Sequence, residues 1–261
     1  MKKILIIGLV FILSVGLIGC GEDVPEDMVL VEAGTTSEDN RSVTVEDDFY
    51  IAKYHVTQAE FEEVMDFNPS YFNDKDHPNL TGNTADRPVE RVSWYDAVMY
   101  ANKLSQAEGL DAYYNISNIE YDGDSIDAAE ITQNEGANGY RLPTADEHEY
   151  AMRGGKDGNA TTYAGSDNLD EVGWYKDNSD AANSSLNVGT MPVGEKEANE
   201  LGLYDMSGNV YAWTNTLSGS RRVRRGGFWY SVAGDCEVSR FGIHPPSCSY
   251  SFIGFRLARR P

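Results

Sequence analysis

Thiols are the scarcest reactive groups in this chain, and its three cysteines divide by position. Cys20 closes Leu17-Ile18-Gly19-Cys20, behind Met1-Lys2-Lys3 and an apolar run from Ile4 to Leu13. A basic start, a short apolar stretch and small residues ahead of a cysteine describe a secretory leader whose cysteine takes a lipid. The run is short for a bilayer and its following flank is acidic, which argues against a membrane-spanning helix. Cys236 and Cys248 are left, and outside the cytoplasm they could close one disulfide. Two cysteines cannot staple a scaffold, so packing must build the core. Hard-cation chemistry has a local candidate in Asp122, Asp124 and Asp127, although the glycine and closing glutamate of an EF-hand loop are missing. The four histidines are scattered and suggest no zinc site.

Binding chemistry concentrates near the C-terminus. From Val238 to Phe252 there is no Lys, Glu, Gln, Met or Trp, and neither helical nor strand periodicity. The segment reads as a surface loop, and loops on a rigid scaffold carry recognition. Phe228, Tyr230, Phe241, His244, Tyr250 and Phe252 supply aromatic anchors, while Ser231, Asp235, Ser247 and Ser249 supply adaptable hydrogen bonds, a mixture antibody paratopes also use. Val232, Gly234, Gly242, Ile243, Pro246, Cys248 and Ser251 complete the expected patch. The plain alternatives are a tolerated loop without function, or aromatics that fill the fold's own core. Trp229, Val238 and Ile253 are expected to point inward.

The rest of the chain must hold that segment in place. Residues 1–19 form the leader and 20–27 a lipidated tether, so 28–261 is read as one domain, with no further linker. Gly21, with no aspartate after the cysteine, suits the bacterial outer membrane or cell surface. The net charge of −21 excludes nucleic acid and polybasic lipid binding as functions and favours solubility at a cell surface. The acidic run between Lys103 and Arg141 reads as a solvated face. Thr57-Gln58-Ala59-Glu60 and Thr144-Ala145-Asp146-Glu147 are capping boxes, in which hydroxyl and carboxylate satisfy otherwise orphaned backbone donors. The first predicts a helix of about ten residues, and the second a helix that stops at Gly154-Gly155. Ser93 caps a helix whose Trp94, Ala97, Val98, Ala101 and Leu104 share one face. Short strands and turns are expected, as at Phe49–Ala52, Val188–Thr190 and Gly202–Asp205. The class is α+β with much irregular structure.

Seven motifs in order resemble the formylglycine-generating enzyme, or sulfatase-modifying factor, family. They are Met28-Val29-Leu30-Val31-Glu32-Ala33-Gly34, Tyr54-His55-Val56-Thr57-Gln58-Ala59-Glu60-Phe61, Pro88-Val89-Glu90-Arg91-Val92-Ser93-Trp94, Gly139-Tyr140-Arg141-Leu142-Pro143-Thr144, Glu200-Leu201-Gly202-Leu203-Tyr204-Asp205-Met206-Ser207-Gly208-Asn209-Val210, Arg225-Gly226-Gly227 and Gly254-Phe255-Arg256-Leu257. The resemblance implies a single domain in a C-type lectin-like fold. Family oxidases bind copper through two cysteines and oxidise a sulfatase cysteine to formylglycine, and Cu(I) calls for soft thiolates. Counted from Gly226-Gly227, that pair falls on Ser231 and Cys236, so one thiolate is missing. The resemblance also implies a calcium site at Asp205 and the carbonyls of Gly208 and Val210, but Ala212 replaces its usual glutamate. A second family site would begin at Asn178 and Ser179, with its later acidic ligand falling near Ser185. His148 stands where relatives carry tryptophan.

The C-terminal composition is similar to that of variable lipoproteins diversified by retroelements. There a reverse transcriptase copies a template with errors at adenines. Mutated asparagine codons ending in a pyrimidine cannot give Lys, Glu, Gln, Met or Trp, and 238–252 obeys that exclusion. The resemblance implies a lipid-anchored surface protein that binds a protein or glycan through a variable region of about 225–256, without catalysis or a required cofactor. Two alternatives stand beside it: a copper-dependent oxidase acting on sulfatase cysteines, and a constant accessory lipoprotein of the envelope.

Overall fold

A computed structural model of the chain describes residues 24–38, 41–77, 80, 83–179 and 189–261. The leader, Cys20, most of the tether, Ser185 and Val188 lie outside these residues. Strand β1 (Met28–Val31) is followed by the hairpin of β2 (Gly34–Glu38) and β3 (Arg41–Val45), then by β4 (Phe49–Ala52). Helices α1 (Gln58–Met65) and α2 (Trp94–Ala107) lead to the long hairpin of β5 (Tyr114–Asp122) and β6 (Ser125–Gln133). Helix α3 (Ala145–Met152) and the single turn α4 (Leu169–Val172) precede β7 (Tyr211–Ser218) and β8 (Arg221–Arg225). The chain ends through β9 (Phe241–His244), β10 (Ile253–Gly254) and β11 (Ala258–Arg259).

Each expected helix start is realised. Thr57, Ser93 and Thr144 each accept from the third helical amide, and Glu60, Asp96 and Glu147 return the bond to the cap backbone. Helix α1 ends after eight residues rather than about ten, because Asp66 turns left-handed at φ 68° and its amide bonds to the Glu62 carbonyl. Trp94, Ala97, Val98 and Ala101 of α2 are fully buried, as their spacing requires.

Two sheets frame the domain. In the first, β4 pairs antiparallel with β1 on one side and β11 on the other, joining both ends of the domain. In the second the order is β10-β7-β8-β9, with β10 parallel to β7 and the rest antiparallel. One core cluster gathers Phe61, Trp94, Trp213 and Phe255 around α1 and α2, and another packs Phe49, Ile51, Tyr150 and Met206 between the first sheet and α3. Each such side chain contributes on the order of 1.5–3 kcal/mol through burial. The indoles cross-tie the halves: Trp94 donates to the Thr214 carbonyl and Trp213 to that of Val92, both at 3.0 Å.

Of the stretches expected as short strands or turns, Phe49–Ala52 is strand, and Gly202–Asp205 is irregular, because the Asn199 side chain accepts from the amides of Leu201 and Leu203 and Asp205 is left-handed at φ 52°. Gly189 and Thr190 are irregular too. One local expectation is corrected. Phe241–His244, read as loop, forms β9, because β8 offers it a free edge, an option no local periodicity can reveal. The acidic run builds the β5–β6 hairpin. Cys236 and Cys248 are both free and lie against different core clusters.

Candidate functional site

The C-terminal segment begins with a double-glycine turn at the end of β8. Gly226 and Gly227 have φ of 100° and 76°, and a side chain at 227 would collide with the Cys236 sulfur, so only glycine allows this approach. From there to β10 the backbone is tied to the scaffold at intervals. Trp229 donates its amide to the Asn209 carbonyl at 2.8 Å and its indole N–H to that of Ser251 at 3.0 Å. The Tyr250 carbonyl accepts from the Arg91 amide, that of Pro246 from Trp94 at the start of α2, and that of Phe252 from Tyr211. The helix amide of Trp94 is one of those without an intrahelical partner, so Pro246 caps α2. Arg91, Trp94, Asn209 and Tyr211 all lie in or beside the family motifs and hold the segment by its main chain, while the Tyr211 ring also meets those of Phe228 and Phe252.

With the main chain held, the side chains form a continuous run of ring contacts. His244 meets Tyr250 at 5.4 Å between centroids, Tyr250 stacks on Phe252 at 5.1 Å, and Phe252 meets Phe228 at 4.7 Å. The run passes through Trp229 to Tyr230 at 5.4 Å and to Phe72 at 5.2 Å, then on to Tyr71 and His77. Cations sit over several rings: Arg91 over Tyr71 at 4.5 Å, Lys176 over Tyr230 at 5.3 Å and Arg224 over Tyr211 at 3.5 Å. Tyr230 is 48% exposed and Tyr250 43%, large values for side chains of this size.

The expected patch is brought together only in part. Phe228, Tyr230, His244 and Tyr250 join the run, and Asp235, Ser247 and Ser249 are exposed. Gly234, Gly242, Ile243, Pro246, Cys248 and Ser251 are half-buried. Phe241 and Val232 are more than half exposed but stand apart, Phe241 over the Arg225 guanidinium at 5.7 Å. Ser231 is a correction: it is buried, its hydroxyl accepting the Phe228 amide at 3.1 Å, so it supports the turn instead of facing a ligand. Trp229, expected inward, is half-buried within the run of rings, whereas Val238 and Ile253 are inward as expected. Sequence reasoning missed Tyr71, Phe72 and His77, which enter from far upstream. The aromatic pair within the polar stretch Asn68-Pro69-Ser70-Tyr71-Phe72-Asn73 was the available signal. Glu90 holds that loop down by accepting the Phe72 amide at 2.8 Å, and burial pushes its carboxyl up to about 8 against backbone bonds from Phe72 and Tyr71.

The positions of the family cysteine pair do meet. Ser231 and Cys236 share a buried pocket under the double-glycine turn, where burial pushes the Cys236 thiol up to about 12 against hydrogen bonds from Ser231 and the Phe228 backbone. A hydroxyl at 231 gives this pair one sulfur where Cu(I) ligation by two thiolates needs two. At the expected calcium position Asp205 is fully buried, with burial pushing its carboxyl up to about 6 against the Gly194 amide and the charge of Arg256. One oxygen accepts from Gly194 at 2.8 Å and the other has no hydrogen-bond partner. Gly208 gives its amide to the Gly226 carbonyl, Val210 is fully buried, and Ala212 offers no side-chain oxygen. One carboxylate near a guanidinium falls short of the roughly six to eight oxygens calcium takes.

Comparison with known proteins decides the family. The sulfatase-modifying factor enzyme 1-like domain matches residues 20–261. The chain belongs to this family. Its fold is accordingly the C-type lectin-like α+β arrangement of the formylglycine-generating enzymes, in a single domain. Chaperone protein LppX of Paenibacillus barcinonensis is 40% identical over 271 residues, spanning 92% of each chain. Among solved structures, Treponema denticola variable protein 1 superposes with a TM-score of 0.76 at 31% identity, covering 90% of this chain and 95% of its own. The protein titled CarF follows at 0.70 and 29%, covering 91% and 99%. As a sulfatase-modifying factor domain, the chain thus has full-length relatives named for chaperone and variable-protein roles.

Proposed function

We propose that the protein is a non-catalytic lipoprotein of the cell envelope that binds a protein or glycan ligand through its C-terminal face. The observation that carries this reading is the run of rings from His77 to His244, open to solvent at Tyr71, Tyr230 and Tyr250 and mounted on a main chain that family-motif residues tie down. Rigid aromatics offer large contact area at small entropic cost, and a few of them near the centre of a face dominate affinity. The serine at 231 leaves the family's cysteine pair one thiol short and so speaks against the copper oxidase, and the reading requires no metal.

The likeness to the variable protein supports the finer version, in which residues 225–256 are diversified by a retroelement and displayed at the cell surface through a lipid on Cys20. The full-length likeness to LppX favours a second version, in which the same face is constant and receives one client protein. DNA sequencing just downstream of the gene separates them. A near-copy of the segment encoding Arg225 to Arg256, mismatched only at template adenines and beside a reverse transcriptase, is the expected result for diversification. Absence of any such copy rules that version out and leaves the fixed client.

A further inference from the structure

A groove of about 730 Å³ opens between α1, α2 and the edge formed by β1 and β4, and none of its lining residues belongs to 225–256. Its floor is apolar: Val56, Val64, Tyr100, Leu104 and Leu257. Its rim is acidic, with Glu26 and Asp27 before β1, Glu60 and Glu63 on α1, and Glu108 at the end of α2, against Lys103 in the lining and Lys53 just outside it, whose ammonium bonds to the Glu26 carbonyl. One Glu60 oxygen is used in the capping box, and Glu108 accepts the Tyr140 hydroxyl at 2.9 Å. The carboxylates of Glu26, Asp27 and Glu63 have no hydrogen-bond or ion-pair partner among the described residues. Burial raises the Tyr100 hydroxyl at the floor, and the charges of Glu60, Glu63 and Glu108 raise it further.

We propose that this groove is a second binding site, one that takes a cationic amphipathic peptide segment of a partner protein. The volume lies in the range of about 300–1,000 Å³ that ligand pockets occupy. The carboxylates, however, stand on three separate elements around the hollow, and a compact ligand with one charge would answer only one wall. A peptide with leucine-like side chains on one face and several lysines or arginines beside them meets floor and rim together, the apolar stripe supplying affinity and the charges orientation. The site is independent of the C-terminal face, and the two can be occupied at once.

The test is fluorescence anisotropy of a labelled, short amphipathic leucine–lysine peptide against the full chain. Removing three rim charges together by Glu26→Gln, Asp27→Asn and Glu63→Gln weakens binding about tenfold, each exposed pair being worth a few-fold. Filling the floor by Val64→Trp abolishes binding. Removing the same charge from exposed positions outside the groove's lining by Glu46→Gln, Asp47→Asn and Asp146→Asn leaves the affinity within about twofold. Equal loss in both charge sets, or oligolysine binding as tightly as the amphipathic probe, reduces the effect to net charge and overturns the proposal. Self-association of the chain that is lost in the rim variant assigns the groove to a second copy and overturns it as well.

Discussion

The scaffold and the C-terminal face invert the usual distribution of side chains. Inside, beneath the family motifs, sit charges: Glu149 is fully buried and bridges Arg41, Arg153 and Arg225. Arg256, also fully buried, donates to the carbonyls of Ala52, Lys53 and Tyr204 at 2.8–3.1 Å, and burial lowers its guanidinium to about 10 against the charge of Asp205. Outside, the C-terminal face presents aromatic rings. A buried charge network is rigid because each member leaves another uncompensated if removed, whereas exposed rings can be exchanged with little effect on the fold. The difference teaches that tolerance to change at the face depends on intolerance beneath it.

The sharpest way to break this contrast is to remove the hub. Glu149→Ala leaves Arg225 and Arg153 buried without their carboxylate and is expected to cost about 3–5 kcal/mol in urea unfolding. A loss under about 1 kcal/mol would show that the interior network does not anchor the face.

A second measurement follows stability against pH. Between about pH 4.5 and 8 the folded state keeps the Glu90 proton that an unfolded glutamate has released, so this group's contribution falls as pH rises, by up to about 1.4 kcal/mol per unit. Below about 6.5 the unfolded chain protonates His55 and His148, which burial holds neutral in the fold, so stability falls again as pH drops. From about 6 downward, the proton taken up by folded Asp205, together with the one Glu90 still holds, offsets most of that loss. Thermal melts should therefore peak near pH 6 with a shallow acid limb, and Glu90→Gln should flatten the alkaline limb and steepen the acid one. An alkaline limb that persists in that variant would remove Glu90 from the account.

The smallest expected change is at the face itself. Tyr250→Ala or Tyr230→Ala should shift stability by no more than about 0.5 kcal/mol, the usual range for exposed positions. Each removes a ring from the exposed run, so binding of a ligand found by surface pull-down should weaken while the melting curve stays in place. A large drop in stability would make these rings part of the core.

Much of the fold was legible because its signals are local. Thr57-Gln58-Ala59-Glu60 and Thr144-Ala145-Asp146-Glu147 place helix starts through hydrogen bonds within four residues, and the spacing of Trp94, Ala97, Val98 and Ala101 gives the buried face of α2. The motif order pointed to the family, and the serine at 231 showed the incomplete cysteine pair. β9 was not legible, because its pairing partner Arg222–Arg225 lies outside any local window. Ser231 was not legible as inward, because its burial comes from the turn it closes by accepting the Phe228 amide.

By itself the sequence determined the helix caps and the family, both of which depend on neighbours along the chain. Only the tertiary structure decided which rings meet. It brought Tyr71 and Phe72 against Trp229, laid the Pro246 carbonyl over the start of α2, and left an acidic groove on a different face, because those contacts are set by the packing of elements remote in sequence.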